Sequence, residues 1–120
     1  MKALGTHIIV ELSDCNARIL SDVDQVASIL VAAAKAANAE VLQTAFHRFA
    51  PQGVSGVVVI AESHLSIHTW PEERLIAIDL FSCGSIDAER VAAELARLLR
   101  LDGAQIRWLA RGRVAVTPQR

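Results

Sequence analysis

The sequence predicts an α+β fold, a two-layer sandwich in which a mainly antiparallel sheet carries two helices on one face. Strand-like apolar runs outnumber the helical patterns, and short turns separate most of the runs. Short connections favour antiparallel neighbours, because parallel strands need a long crossover. Both helical patterns are amphipathic, so each helix can cover the sheet with one face. A chain of 120 residues fits a single domain of this kind, residues 1–120.

The first predicted elements are a strand and a helix. Residues 7–12 form an apolar, β-branched run that is typical of a buried strand, and residues 14–16 predict a turn after it. Ser21, with Asp24 three residues later, resembles a capping box at a helix start. Apolar residues then recur at spacings of three and four, and Asn38 is a suitable terminator.

Four further strands are predicted in the middle of the chain. They cover residues 41–49, 54–60, 66–70 and 75–81. Residues 51–53, Pro-Gln-Gly, predict a turn between the first two. Gly56 lies inside the second of these strands and predicts a bulge or a close backbone approach.

A second helix and two short strands complete the predicted fold. The helix begins near Ser85 or Asp87 and ends at Gly103, with its valine and leucine residues along one face. After it, residues 105–108 predict a half-buried strand. Residues 111–113 predict a turn, and residues 114–116 a last short strand.

Composition narrows the functional classes. Hydrophobic residues make up 52% of the chain, which supports a full core and leaves apolar surface for a partner subunit. With a net charge of −1, we expect neither a nucleic acid nor a membrane as partner. Cys15 and Cys83 form neither a CxxC pair nor a secreted disulfide framework. No signal peptide or membrane-spanning stretch is visible, so we expect a cytoplasmic protein with reduced thiols.

A polar cluster between two apolar strands is the candidate site. Ser63 lies beside Glu62, His64 and His68. A serine–histidine pair begins a hydrolase triad, but no G-x-S-x-G elbow surrounds Ser63 and that fold needs a larger parallel sheet. His64 and His68 have the same parity in an extended chain, so both can face one side. They are either hydrogen-bonded strand histidines or zinc ligands, and no third ligand stands at a suggestive spacing.

Ser63 and Cys83 also have ordinary interpretations. The serine can simply support a hairpin turn. Cys83 precedes a predicted helix start, where a thiol can be reactive, but a cysteine there is equally typical of a small buried hydrophobe.

The candidate site lies within the stretch Glu62-Ser63-His64-Leu65-Ser66-Ile67-His68-Thr69-Trp70-Pro71-Glu72. This stretch resembles the self-cleavage motif of the small prokaryotic S-adenosylmethionine decarboxylases. The likeness continues through residues 46–49, 53–57 and 79–84, and it is strong over roughly residues 44–84. It weakens at the N-terminal strand and is generic in the last third of the chain.

This resemblance implies a proenzyme that cuts its own Glu62–Ser63 bond. The Ser63 hydroxyl would attack the Glu62 carbonyl, with Ser55 assisting at the intermediate. His68 would then remove the Ser63 α-proton, so that the upstream chain leaves. The products would be a β chain and an α chain, residues 1–62 and 63–120.

The resemblance also implies a cofactor made from the chain itself. Ser63 would become a pyruvoyl group, which forms a Schiff base with the substrate and replaces pyridoxal phosphate or a metal. Cys83 would return a proton to the substrate carbon after CO₂ leaves. Phe49, Leu65 and Glu72 match the family's substrate-binding positions, and the sites would form in a homodimer of αβ units.

Alternatives to S-adenosylmethionine remain. Some similar enzymes act on arginine or ornithine, and Asp14 or Glu73 would then grip the cationic end of the substrate. A different class is an inactive paralogue that binds another subunit. Retention of Ser63, His68 and Cys83 together argues against that class.

Overall fold

The computed structural model describes residues 2–13, 15–83, 86–99 and 105–114. Six strands, three α-helices and a short 3-10 helix lie within those ranges. In chain order they are β1 (Lys2–Leu12), α1 (Ala17–Ser21), α2 (Val23–Ala36), β2 (Val41–Arg48), β3 (Val54–Ile60), β4 (Ser63–Trp70), the 3-10 helix (Pro71–Glu73), β5 (Leu75–Ser82), α3 (Ala88–Leu99) and β6 (Gln105–Val114). The strands form one antiparallel sheet in the order β2-β3-β4-β5-β1-β6.

The sheet has one covered face and one open face. Burial alternates along β4 and β5, so that Leu65 and Leu80 are buried while the residues between the buried positions are partly exposed. These side chains share one core with Leu30 of α2 and Leu95 of α3. Burying a leucine fully stabilises a fold by about 1.5–3 kcal/mol. The predicted two-layer α+β sandwich is therefore confirmed, with the helices on one face.

Asp22, and not Ser21, caps α2. The Asp22 carboxylate accepts hydrogen bonds from the backbone N–H groups of Asp24 and Gln25, at 3.0 and 3.1 Å. The backbone N–H and the side chain of Gln25 both donate to it and thereby lower the pKa of Asp22. The prediction for Ser21 was wrong, because Ser21 ends α1 and its hydroxyl donates to the Ala17 carbonyl oxygen at 3.1 Å.

The helix α1 was not predicted, whereas the terminator of α2 and one of the two predicted starts of α3 were. Asn16 caps α1, since its side chain accepts the Arg18 N–H at 2.9 Å. Asn38 ends the segment after α2 with a positive φ of 59°, as a terminator should. Asp87 accepts the Arg90 N–H at 3.1 Å at the start of α3. The other predicted bounds of α3, at residues 85 and 103, lie outside the described residues.

Gly56 allows a close approach between two strands. A Cβ atom there would overlap the Phe46 ring, so the ring occupies the space that a side chain would need. The register of β3 with both neighbours continues through Gly56, and the irregularity in β2 falls between Val41 and Gln43 instead. Of the two predicted possibilities, the close approach is therefore the one observed.

Three strands differ from the prediction by several residues. β1 begins at Lys2, five residues before the predicted start at residue 7, because that segment pairs with β6. β4 begins at Ser63, three residues earlier than predicted, because those residues already pair with β3 and β5. β6 runs through residues 105–114 beside β1, where a turn at 111–113 was predicted. The end of the predicted last strand, residues 115–116, lies outside the described residues.

Thr69 fixes the far end of β4 to the rest of the fold. Its side chain is 1% exposed. The Thr69 hydroxyl accepts the Val54 N–H at 2.9 Å and donates to the Leu20 carbonyl oxygen at 2.8 Å. One buried hydroxyl thus joins β4 to β3 and to α1.

Among the helices that the structure describes, none is long and apolar enough to cross a membrane.

Candidate functional site

Ser63 is the first residue of β4 and follows a two-residue turn. Glu62 in that turn is exposed, whereas the Ser63 Oγ atom is buried. Within the described part of the chain, Ser63 Oγ has no hydrogen-bond partner. A buried hydroxyl without a partner is unusual and costly, so it calls for a functional explanation. Here it lies beside the peptide bond that the resemblance predicts to be cut.

The last residue of β5 pairs with Ser63, and Cys83 follows that residue in the chain. Ser82 is the direct register partner of Ser63 and is 7% exposed. Cys83 follows it, and its free thiol is exposed, so this cysteine is not a core residue. We call Ser63, Ser82 and Cys83 the turn cluster.

His68 lies on the open face of the sheet. Its register partners are Ser55 on β3 and Ala77 on β5. Ser55 and His68 line an open groove of about 410 Å³, together with Ser66 and Asp79. The predicted pair Ser55 and His68 is therefore brought together by the sheet.

Aromatic rings surround His68. Its ring centroid is 4.4 Å from that of Trp70 and 6.0 Å from that of Phe49. Phe49 is 41% exposed and also meets the His47 ring at 4.7 Å. We call Ser55, His68, Phe49 and Trp70 the open-face cluster.

The two clusters do not meet within one chain. Ser63 and His68 are five residues apart in one strand, which separates them by about 16 Å at roughly 3.3 Å per residue. An odd separation also directs their side chains to opposite faces. The predicted nucleophile and base are close in sequence, but the extended strand between them keeps them apart in space.

The remaining predicted substrate residues occupy different environments. Leu65 is 0% exposed in the core, so its side chain cannot line the groove and any substrate contact would involve its main chain. Glu72 and Glu73 are exposed in the 3-10 helix after β4. Asp14 lies outside the described residues. The binding roles of Phe49, Leu65 and Glu72 stay predictions.

Asp79 organises a polar network that the sequence did not reveal. Its Oδ2 atom lies 2.6 Å from His7 Nε2 and 3.7 Å from His64 Nε2. Its Oδ1 atom accepts a hydrogen bond from the Ser66 hydroxyl. The Phe81 ring is 5.8 Å from both histidine rings, stacked on His64 and edge-on to His7. The pairing of β5 with β1 and β4 brings these residues together. In the sequence, the one visible sign of the network was an aspartate within an otherwise apolar strand.

His64 is therefore a strand histidine with defined neighbours. Its ring stacks on Phe81 and faces Asp79. Across the described ranges, no three His, Cys, Asp or Glu side chains are grouped so that they could hold a metal ion. His64 and His68 do share the open face, as their parity predicted.

Comparison with known proteins gives consistent matches over most of the chain. The family model described as S-adenosylmethionine decarboxylase matches residues 6–112. An S-adenosylmethionine decarboxylase proenzyme of Thermodesulfovibrio yellowstonii is 55% identical over 94 residues, which are 78% of this chain and 70% of the relative. The proenzyme of Caldanaerobacter subterraneus is 49% identical over 113 residues, covering 93% of this chain and 91% of the relative.

A solved structure agrees with the fold. The crystal structure of the adenosylmethionine decarboxylase from Aquifex aeolicus superposes with a TM-score of 0.88 at 31% identity, covering 100% of both chains. The resemblance first seen in residues 44–84 thus extends over the whole sheet and both long helices.

Proposed function

Because the chain belongs to the S-adenosylmethionine decarboxylase family, we propose that it is a self-processing proenzyme that decarboxylates S-adenosylmethionine. The observation that carries this proposal is the Ser63 hydroxyl, buried at a turn and unpaired within the described residues. Such a hydroxyl is kept from water and stands next to the Glu62 carbonyl group. That arrangement suits an attack on the neighbouring peptide bond.

Cleavage needs two proton movements around Ser63. First, its Oγ atom adds to the Glu62 carbonyl carbon and the peptide C–N bond breaks. The hydroxyl proton passes to the Ser63 nitrogen, which leaves an ester and a free amine. Next, a base removes the Ser63 α-proton and the carboxylate of residue 62 departs. His68 is the proposed base, since a neutral imidazole can accept that proton. Water then releases ammonia and leaves a pyruvoyl group at position 63.

A second copy of the chain must supply His68, because the distance within one chain is about 16 Å along the strand. A two-fold axis that crosses β4 midway, near Leu65 and Ser66, would set the Ser63 end of one copy over His68 of the other. In such an interface the same contact occurs twice. The open face supports this arrangement, since it exposes Val59 at 37% and Phe49 at 41% and no described element covers it. We therefore propose a homodimer of αβ units.

The turn cluster fits the cofactor chemistry. A pyruvoyl group at position 63 would supply a carbonyl that withdraws electrons from the substrate as CO₂ leaves. Cys83 follows Ser82, the register partner of Ser63, and its exposed thiol can hold the proton that the substrate carbon then needs.

The open-face cluster fits the substrate. Phe49 offers an exposed ring for an adenine base or a sulfonium cation. Glu72, exposed just after β4, is proposed to accept hydrogen bonds from the ribose hydroxyls. Arginine or ornithine is the alternative substrate, with exposed Glu73 as the acid that would bind its cationic end. The cytoplasmic location remains a prediction.

The proposal is tested by the intact mass of the purified protein and by CO₂ release from S-adenosylmethionine, arginine and ornithine. We expect two chains, the one from position 63 blocked by a pyruvoyl group, with CO₂ from S-adenosylmethionine. The Ser63→Ala variant should remain one chain and release none. CO₂ from arginine or ornithine alone would change the substrate but keep the mechanism. A single intact wild-type chain without activity would overturn the proposal in favour of an inactive paralogue.

A further inference from the structure

We propose that Ser82 is a catalytic residue of self-cleavage, acting as a proton relay for Ser63. Its hydroxyl takes the proton that Ser63 Oγ loses and gives its own proton to the Ser63 nitrogen. This inference rests on the proposed function, because it concerns the first step of the same cleavage.

The sheet register places the two hydroxyls side by side. Ser63 and Ser82 are direct partners in the antiparallel pair of β4 and β5. Directly opposed residues have Cβ atoms about 4.5–5.5 Å apart and point to the same face. At that Cβ separation, a change of staggered rotamer can bring the two hydroxyl oxygens within hydrogen-bond reach. Ser82 is 7% exposed, so bulk water has little access to this pair.

Within the described part of one chain, Ser82 is the only register partner of Ser63 that carries a hydroxyl. The partner of Ser63 on the other flanking strand is Ile60, which has no polar atom. Ser55 of the same chain pairs with His68, five residues further along β4 and about 16 Å away at roughly 3.3 Å per residue. In the proposed dimer, Ser55 of the second copy keeps the separate role of assisting at the intermediate. The Ser63 Oγ atom is buried and unpaired within the described residues, so the group that must lose a proton faces no bulk water.

The relay balances the atoms of the acyl shift. A bond forms between Ser63 Oγ and the Glu62 carbonyl carbon, and the bond from that carbon to the Ser63 nitrogen breaks. The oxygen loses one proton, and the nitrogen keeps the electron pair of the broken bond and needs one proton. Ser82 accepts the first proton, donates the second and ends unchanged. No net charge is left in a buried place, where an unpaired charge would be costly.

The test uses the full chain and two matched pairs of variants. Ser82→Ala removes the hydroxyl, and we expect its cleavage to slow by about 100-fold or more, the usual range for losing a positioned proton carrier. Ser82→Thr and Ser82→Val have nearly the same shape and differ in the hydroxyl. We expect the threonine variant to cleave within about tenfold of wild type and the valine variant to be as slow as the alanine variant. Thr6→Ala, on the far side of Ser82 in β1, should cleave at the wild-type rate.

Hydroxylamine separates a chemical role from a structural one. It cuts the ester formed by the acyl shift, so it should release residues 1–62 from a His68→Ala variant, which stops after that step. It should not restore cleavage in Ser82→Ala, which stops before it. Melting temperatures of all variants are measured alongside, and the threonine–valine comparison holds even if the alanine variant folds poorly.

The outcomes distinguish this inference from the proposed function. If the wild-type chain stays uncut, the proposed function fails. If the wild type is cut and Ser82→Ala or Ser82→Val is cut equally fast, the relay is wrong and the function stands. Equal slowing of the threonine and valine variants, or rescue of Ser82→Ala by hydroxylamine, would also overturn the relay.

Discussion

The turn cluster and the open-face cluster differ in how they are built. The turn cluster is assembled within one chain by the register of β4 and β5, and it buries the Ser63 hydroxyl. The open-face cluster is shallow, with Phe49 41% exposed, and lies about 16 Å away on the other face of the sheet. In the proposed mechanism, one cluster holds the atoms whose bonds change, and the other holds a base and an aromatic surface. If His68 is the base, self-cleavage therefore requires two associated copies of the chain.

Mixing two inactive variants gives the largest expected effect. Ser63→Ala has the open-face cluster but no nucleophile, and His68→Ala has the nucleophile but no base. Neither should be cut alone. When they are co-expressed with different tags, the His68→Ala chain should be cut, because the other copy supplies its base. The mass of each tagged chain measures this.

Two outcomes of this experiment would contradict the proposed roles of the two clusters. Normal cleavage of His68→Ala alone would remove His68 from the base role. An uncut mixture of folded, associated chains would mean that the two clusters meet within one chain after all.

Replacing Cys83 should separate self-cleavage from decarboxylation, the two reactions proposed for the turn cluster. Cys83→Ala should be cut normally, since the thiol is not needed for the acyl shift. Its CO₂ release from S-adenosylmethionine should fall by about 10²–10⁴-fold, as expected for a lost general acid. Undiminished turnover would show that another group returns the proton.

Replacing Phe49 should affect binding without affecting cleavage. Phe49→Leu should raise the KM for S-adenosylmethionine about 2- to 30-fold, for an aromatic contact of about 0.5–2 kcal/mol. The kcat should change little. Leu42→Ala provides the control, because Leu42 is another exposed apolar residue of the same edge, at 58%. A similar KM change in both variants would show that the effect is not specific to the ring.

Thr69 gives the smallest expected effect on cleavage. Thr69→Val keeps the shape but leaves the Val54 N–H and the Leu20 carbonyl without the hydroxyl they use. We expect the free energy of unfolding to fall by about 1–3 kcal/mol. Cleavage should slow by less than about tenfold, since only the position of His68 is disturbed. Denaturant unfolding and the intact-mass time course measure the two effects, and an unchanged unfolding midpoint would contradict the first.

Local pattern predicted much of this fold and less of its site. A strand whose apolar residues form a clear local pattern can be located from the sequence alone. The apolar run of β3 is such a pattern, and β3 was predicted with its observed bounds. The continuous β6 was missed because its pairing with β1, and not its glycine-containing sequence, decides its length. Ser82 was visible as the residue before Cys83, but its role depends on register, which a single sequence does not specify. The separation of Ser63 and His68 could have been found from the odd spacing alone.

The strand order also decides what a cut chain would be. A break between residues 62 and 63 would leave β1, β2 and β3 on one piece and β4, β5 and β6 on the other. In the sheet, β1 lies between β5 and β6, and β3 lies beside β4. The pieces would therefore be interleaved, so neither could leave without breaking the ladders on both sides of β1. Maturation would change the number of chains and leave a single, interlocked molecule.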